Sequence, residues 1–186
     1  MGMRCFIAVD IPEPLRVTIG NTIEVLKACG ADVKWVSSEN IHITLKFLGD
    51  TEESRLSAIQ ERLSKKLFNY GPFCIRITGA GSFPAGRHPR VIWVGTGESS
   101  ALKALQGEVE SEMRELGYAA EERPFLAHIT VGRMRSGRRL SEMAKKLAES
   151  REIPIGNFEV RNIKLMKSEL GRGGPVYTCL AVIPLN

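Results

Sequence analysis

Cysteine and histidine are scarce in this sequence, and neither has the spacing of a metal-binding site. The 186 residues include only four cysteines and three histidines. No CxxC pair occurs and no two of these residues stand at ligand spacing, which argues against zinc. Four cysteines in a chain of this length also argue against a disulfide framework. We therefore expect no metal and a buried structural thiol at each position, namely Cys5, Cys29, Cys74 and Cys179.

Long apolar runs and nucleotide-binding loops are missing too. No apolar run approaches the roughly 18 residues of a membrane helix, and no charged and apolar leader opens the chain. Neither a GxGxxG sequence nor a Walker loop occurs. These absences predict a soluble, cytoplasmic protein that makes no membrane contact and uses no nucleotide cofactor.

The composition is that of an ordinary globular protein with a small excess of positive charge. Hydrophobic residues make up 43% and charged residues 25%, as in folded domains rather than disordered chains or coiled coils. Lysine and arginine number 26 and acidic residues 21, a net charge of +5. This excess favours an anionic partner such as RNA or a phosphate ester. The length predicts one domain, residues 1–186, which we expect to act as a monomer.

Apolar periodicity and turn residues predict a mixed order of strands and helices. The predicted strands cover residues 4–9, 33–36, 41–48, 73–78, 90–94, 126–133, 158–166 and 177–183, and the predicted helices residues 13–29, 51–67, 102–116 and 140–147. The order strand, helix, strand, helix and two strands occurs twice, which indicates a duplicated pattern. Adjacent strand pairs favour antiparallel pairing. We expect an α+β fold of two pseudo-symmetric lobes with mainly antiparallel sheets and a central cleft.

Two of the three histidines begin the same tripeptide, His-Ile-Thr, and each tripeptide lies in a predicted strand. Residues i and i+2 of a strand share a face. His42, Thr44 and Lys46 should therefore share one polar face, and His128 and Thr130 another. If a twofold axis relates the lobes, two imidazoles and two hydroxyls meet around one central atom.

Other residues are weaker candidates for the same cleft. Strict alternation points Arg133 away from it, unless a bulge or turn at Gly132 re-aims the side chain. Arg90 stands at the start of a predicted strand, from which it could reach the cleft, and Tyr177 could stack on a terminal base. His88 stands among glycine, proline and arginine, so we expect an exposed loop residue there.

Two imidazoles and two hydroxyls suit in-line displacement at phosphorus. Attacking and leaving oxygens occupy opposite sides of the phosphorus, and histidine can accept a proton on one side and donate one on the other near neutral pH. Threonine hydroxyls can donate to the non-bridging oxygens, where negative charge gathers. The competing interpretation is two buried strand histidines beside threonines chosen for β propensity. Repetition in matched surroundings favours the catalytic interpretation.

With these motifs and their flanks, the sequence resembles the 2H phosphoesterases, in particular the LigT-like RNA 2′,3′-cyclic phosphodiesterases once called 2′-5′ RNA ligases. The resemblance covers nearly the whole chain. It is carried by residues 4–9 (RCFIAV), 34–36 (KWV), 40–49 (NIHITLKFLG), 89–95 (PRVIWVG), 125–133 (FLAHITVGR), 165–170 (LMKSEL) and 174–177 (GPVY). Two motifs in this order are specific, whereas one alone is not.

The resemblance implies a bilobal fold and a metal-independent reaction that opens a terminal 2′,3′-cyclic phosphate of RNA to a 2′-phosphate. It makes His42 the general acid and His128 the base, with Thr44 and Thr130 holding the phosphoryl oxygens. If a 5′-hydroxyl replaces water, the same acid–base pair joins RNA ends through a 2′-5′ linkage. The partner would be RNA with a cyclic-phosphate end, such as tRNA fragments. The residues alone do not order the two histidines, because their surroundings are nearly equivalent.

Two alternatives remain open from the sequence. The same chemistry could act on a small cyclic nucleotide or an ADP-ribose cyclic phosphate. The His-x-Thr pairs could also serve a non-catalytic module that holds the phosphate at an RNA end. Turnover in EDTA distinguishes an enzyme from a binding module.

Overall fold

Strands and helices alternate along the chain much as the apolar periodicity predicts. The computed structural model describes residues 2–86, 88–171 and 174–186, and within them the chain forms nine strands and four α-helices. The strands are β1 (Met3–Asp10), β2 (Val33–Trp35), β3 (His42–Thr51), β4 (Phe73–Phe83), β5 (Val91–Thr96), β6 (His128–Met134), β7 (Pro154–Val160), β8 (Asn162–Gly171) and β9 (Gly174–Pro184). The helices are α1 (Glu13–Lys27), α2 (Leu56–Leu67), α3 (Ser100–Glu115) and α4 (Leu140–Glu149).

All nine strands belong to one curled antiparallel sheet, in which eight follow the order β7-β4-β5-β6-β3-β1-β8-β9. The strands that carry the two His-Ile-Thr motifs, β3 and β6, are neighbours at its centre. β2 pairs with the same edge of β6, beyond the point where β3 leaves it. The central position of both motif strands fixes the site at the middle of the sheet.

Two helices pack on each half of the sheet. Some of these helices follow strands of the opposite half, so the chain crosses between the halves. We call β3, β1, β8 and β9 the His42 lobe, and β6, β5, β4 and β7 the His128 lobe. α2 and α3 pack on the His42 lobe, while α1 and α4 pack on the His128 lobe. α1 follows a strand of the His42 lobe and α3 follows a strand of the His128 lobe, so each crosses to the opposite lobe. We infer from this exchange that the whole chain is one domain.

The buried faces of the helices explain why they form where they do. Leu15, Ile19, Ile23 and Leu26 recur at helical spacing in α1, and all four are buried. The same spacing places the apolar side chains of α2, α3 and α4 in the core. The α+β class, the antiparallel pairing and the two lobes around a groove are confirmed.

Some sequence predictions are wrong in detail. The predicted strand 158–166 is two strands that separate at Arg161: β7 lies at one edge of the sheet, and β8 lies beside β1 in the other lobe. Cys74 and Cys179 are exposed, because they lie on the solvent-facing sides of β4 and of the edge strand β9, while Cys5 and Cys29 are buried as expected. His88 is exposed, as predicted.

The residues outside the description include part of one predicted loop. The glycine-rich connection before Tyr177 contains Arg172 and Gly173, which lie outside the described residues. Among the helices of the described ranges, none combines the length and the apolar character that a membrane crossing requires.

Candidate active site

Each motif histidine begins a strand and is held by the carbonyl two residues before it. His42 Nδ1 lies 2.8 Å from the Asn40 oxygen, and His128 Nδ1 lies 2.7 Å from the Leu126 oxygen. A carbonyl only accepts hydrogen bonds, so Nδ1 must carry the proton in both rings. In the neutral ring Nε2 is then the unprotonated nitrogen. Both imidazoles therefore offer Nε2 for proton transfer.

The pairing of β3 with β6 brings the two motifs onto one face of the sheet. Ile43 stands directly opposite Ile129, and both side chains are fully buried. Antiparallel geometry then places His42 across from Thr130, and His128 across from Thr44. Because side chains alternate between faces, these four project to the face opposite the two isoleucines. Two imidazoles and two hydroxyls thus surround the middle of the groove.

Aromatic rings from the His42 lobe surround the first histidine. The Phe6 ring centroid lies 4.8 Å from that of His42, and the Tyr177 ring stands edge-on at 5.3 Å. This burial lowers the pKa of His42 below its ordinary value. The hydrogen bond to Asn40 opposes the shift, and so does the negative charge of Asp10, while His128 acts in the same direction as burial.

Asp10 is the carboxylate next to His42. The two residues are directly opposite in the β1–β3 pair, and with Tyr177 they line a small pocket. Asp10 Oδ1 accepts from Arg16 at 2.6 Å, and Oδ2 accepts from Lys164 at 2.6 Å. Burial raises the pKa of Asp10, but these two cations outweigh it and hold the pKa below its ordinary value. Asp10 is therefore a fixed negative charge beside the first imidazole.

Aromatic rings of the other lobe form the wall beside His128. Phe83 stands edge-on to this imidazole, with ring centroids 5.0 Å apart, and lies 5.4 Å from Trp93. The Trp93 indole lies flat on the sheet, where a Cβ at Gly81 would be 2.3 Å from the ring and one at Gly95 would be 3.1 Å from it. Only glycine at position 81 allows this close approach.

A β-bulge follows each motif and reverses the direction of the next side chains. In the first motif Ile7 pairs with Lys46 and Ala8 with Thr44, which leaves Leu45 as the extra residue. In the second motif Val131 is the extra residue, because the pairs with β5 step from Thr130 to Gly132. The two bulges occupy the same position in both motifs.

The bulges decide which cation faces the groove. After the second bulge, Gly132 takes the buried face and Arg133 the groove face, so Arg133 is re-aimed as a bulge near Gly132 would require. After the first bulge, Lys46 takes the buried face and Phe47 the groove face, where Phe47 is 65% exposed. The prediction that Lys46 shares a face with His42 is therefore wrong, and Phe47 is the counterpart of Arg133.

Lys46 binds within the protein rather than in the groove. Its side chain is fully buried, and Nζ donates to Glu110 Oε2 and to the Ala119 carbonyl oxygen, both at 2.8 Å. Glu110 lies on α3, on the covered side of the sheet. Lys46 therefore anchors the first bulge to this helix.

The remaining candidates differ in their placement. Tyr177 packs against His42, and the positive charge of Arg133 opposes the burial that raises the pKa of Tyr177. Arg90 is exposed, and its backbone bonds to Phe83 and Met134 at the end of the sheet. Among the described residues, Arg90 forms no hydrogen bond or ion pair with either His-Ile-Thr motif.

Sequence reasoning missed Phe6, Phe47, Trp93 and Asp10. Alternation along β1 places Phe6 and Asp10 on one face of this strand. The alternation of the predicted first strand could therefore have identified these two residues together. Gly81 and Gly95 marked a close approach to the sheet but did not identify Trp93 as the ring involved. In the described ranges, no three histidine, cysteine or acidic side chains are grouped as metal ligands.

Comparison with known proteins identifies the family of this chain. The chain matches the 2′-5′ RNA ligase superfamily over residues 15–172. It is 37% identical to an RNA 2′,3′-cyclic phosphodiesterase of Methanothermobacter thermautotrophicus over the full length of both chains. It is 38% identical to an enzyme of the same name from Archaeoglobus fulgidus, over 97% of this chain and 99% of that one.

A solved structure shares the architecture described above. Apo LigT of E. coli superposes with a TM-score of 0.80 at 25% identity, covering 100% of this chain and 98% of that one. The chain matches these relatives in sequence, and LigT in fold, over nearly its full length. Both matches agree with the presence of the two motifs at the centre of the sheet. The chain therefore belongs to the 2′-5′ RNA ligase superfamily and is a LigT-like 2H phosphoesterase.

Proposed function

We propose that the protein is an RNA 2′,3′-cyclic phosphodiesterase that opens a terminal cyclic phosphate to a 2′-phosphate. The observation that carries this proposal is the Ile43–Ile129 pair, which sets two His-Thr pairs on one face with both Nδ1 atoms bonded to carbonyls. The relatives from Methanothermobacter and Archaeoglobus are named for this activity. The chain matches 100% and 99% of their lengths. The substrate is RNA with a 2′,3′-cyclic phosphate end.

The proposed reaction transfers one proton at each imidazole. His128 Nε2 accepts a proton from water as the water oxygen bonds to phosphorus. The bond between phosphorus and the 3′-oxygen breaks, and that oxygen takes a proton from His42 Nε2. The 2′-oxygen keeps the phosphate. His42 ends neutral and His128 ends charged, so proton exchange with solvent restores the starting state.

The other groups stabilise the charge that develops on the phosphoryl oxygens. Thr44 and Thr130 are positioned across from the two imidazoles, and their hydroxyls can donate to the non-bridging oxygens. Arg133 places a positive charge on the same face, farther along β6 from the two threonines. If the 5′-hydroxyl of a second RNA replaces water, His128 accepts its proton and His42 protonates the departing 3′-oxygen, as in hydrolysis, and the product is a 2′-5′ linkage. Water is far more abundant than RNA ends, so hydrolysis dominates unless the ends are held together.

We also propose a monomer that acts on cyclic-phosphate RNA ends, such as those of tRNA fragments, in the cytoplasm. A single chain supplies both imidazoles and both hydroxyls, so the site does not need a second copy. Size-exclusion chromatography with light scattering measures the oligomeric state directly.

Product identification tests the function. A short RNA with a 2′,3′-cyclic phosphate, incubated with the enzyme in EDTA, should give only the 2′-phosphate, because the 3′-oxygen is the leaving group. Phosphorus NMR distinguishes the 2′-phosphate from the 3′-phosphate. Binding without turnover would support the non-catalytic module, and a requirement for added metal would contradict the proposed proton transfers.

The plot of kcat/KM against pH should be bell-shaped. One imidazole must be protonated and the other neutral, so the rate falls at low pH, where both are charged, and at high pH, where both are neutral. Because burial lowers the pKa of His42, the acidic limb should have its midpoint below about 6.5, the ordinary histidine value. Initial rates measured from about pH 4 to 9 check this, and a flat profile would contradict the pairing of acid and base.

A further inference from the structure

A pair of cations, Lys34 and Arg133, lies beyond the catalytic residues on the same face of the sheet. Lys34 of β2 stands directly opposite Arg133 of β6. The next pair, Trp35 and Gly132, faces the buried side, since a Cβ at Gly132 would be 3.1 Å from the Trp35 ring. Alternation therefore directs Lys34 to the groove side together with Arg133.

Lys34 reaches from the strand beside β6 to the hairpin of the other lobe. A Cβ on Gly174 would lie 3.6 Å from Lys34 Nζ, so the ammonium group rests against the start of β9. Asn40, between Lys34 and His42, donates to the Pro175 carbonyl oxygen at 2.9 Å and holds the same two segments together. The positive charge of Lys34 thus sits at one end of the groove, between the lobes.

The pairing of Lys34 with Arg133 is unfavourable by itself. Like charges directly opposite in a sheet repel each other, and both side chains are exposed. Nearby cations have partners: Lys46 pairs with Glu110, and Lys164 and Arg16 pair with Asp10. Across the described ranges, the ion pairs include no carboxylate bound to Lys34 or Arg133. An anion bound between the two would remove this repulsion.

The distance along the strand suits a neighbouring phosphate. The pairs with β5 step from Trp93 opposite Thr130 to Val91 opposite Arg133, two residues along β5. At about 3.3 Å per residue this is roughly 7 Å. Successive phosphates of an extended single strand are separated by a similar length, and grooves for single strands carry cations along that path.

We propose that Lys34, together with Arg133, binds the internucleotide phosphate that precedes the terminal cyclic phosphate. The inference rests on the proposed function, since it assumes a cyclic phosphate between the two histidines. It makes the enzyme selective for RNA ends over free 2′,3′-cyclic nucleotides. The terminal nucleotide then lies between the catalytic residues and the Lys34–Arg133 pair.

The test compares three substrates with two matched variants. The substrates are a 2′,3′-cyclic mononucleotide, a dinucleotide with the same cyclic end, and that dinucleotide with an uncharged methylphosphonate linkage. Lys34→Gln should lower the ratio of kcat/KM for the dinucleotide to that for the mononucleotide about tenfold, as expected for one charged hydrogen bond. Lys65→Gln, which removes another exposed charge, on α2, should leave this ratio unchanged.

Removing the charge from the substrate should reproduce the effect of removing it from the protein. The methylphosphonate should lower the wild-type ratio by the same factor, and Lys34→Gln should lower it no further. Lys34→Arg should retain most of the preference for the charged dinucleotide. The salt dependence of kcat/KM on that dinucleotide should also weaken in Lys34→Gln, by about 0.7 in the log–log slope for one contact with a single strand.

Two results would overturn the proposal. Equal losses of Lys34→Gln on all three substrates would place Lys34 at the catalytic phosphate or in the stability of the fold, and an unchanged ratio would mean that it binds no second phosphate. Failure of the wild-type protein to hydrolyse any of the three substrates would instead refute the proposed function. The two failures are therefore distinguishable.

Discussion

Replacing either motif histidine with asparagine should lower kcat/KM by ~10²–10⁴, the range for a lost general acid or base, and should leave residual rates with opposite pH dependences. In His42→Asn the remaining base, His128, must be neutral, so the rate should rise with pH to a plateau. In His128→Asn the remaining acid, His42, must be charged, so the rate should fall as pH rises. The sign of each slope assigns acid and base, which the bell of the unmodified enzyme cannot do.

A modified leaving group gives an independent check of the same assignment. In a cyclic substrate with sulfur in place of the bridging 3′-oxygen, the leaving group is a 3′-thiolate, which needs little protonation. The defect of His42→Asn should shrink on this substrate, while the defect of His128→Asn should persist. Slopes of the reverse sign, together with rescue of His128→Asn, would exchange the two roles. Near-normal rates in either variant would refute the assignment of that histidine altogether.

The convergence of the two motifs follows from features that the sequence displays. Alternation along each strand separates His and Thr from the buried isoleucines, and the register of Ile43 with Ile129 places all four polar side chains together. The sequence does not reveal that register, because it joins residues that are 86 positions apart and depends on the packing of the whole sheet. It predicts which face each histidine occupies, but not which residue stands across from it.

The misplacement of Lys46 shows where alternation fails. A single extra residue at Leu45 exchanges the faces of Lys46 and Phe47, before a second register shift at Leu48. Leucine and valine at the two bulges are ordinary strand residues, so their chemistry does not mark the bulge. Only the second motif had a visible signal, the glycine at position 132. The repeat itself is informative in retrospect, because equivalent motifs bulge at equivalent positions.

The exchange of α1 and α3 between lobes is equally invisible in the sequence. Helical periodicity predicts that each helix has one apolar face, but not which sheet surface that face covers. For the same reason residues 158–166 look like one strand, although β7 and β8 pair with partners at opposite ends of the sheet. Local pattern predicts the elements, and long-range packing decides their neighbours.

The buried ion pair behind the first motif should make stability depend far more on Glu110 than on Lys46. Lys46 has a fully buried side chain, whereas Glu110 is 21% exposed and also accepts from the Glu121 backbone N–H. Glu110→Ala leaves an ammonium group buried with one carbonyl partner, which should cost about 3 kcal/mol, at the lower end for a broken buried pair. Lys46→Met leaves a carboxylate that reaches water, so its cost should be about 1 kcal/mol.

Urea unfolding of both variants and of the double variant measures these free energies by linear extrapolation. Lys46→Met combined with Glu110→Ala should be more stable than Glu110→Ala alone, because no buried charge remains without a partner. Equal costs for the two single variants, or strictly additive costs in the double variant, would show that the pair does not behave as a desolvated unit. Since Lys46 adjoins the bulge residue next to Thr44, Glu110→Ala should also lower kcat more than Lys46→Met does in the folded protein.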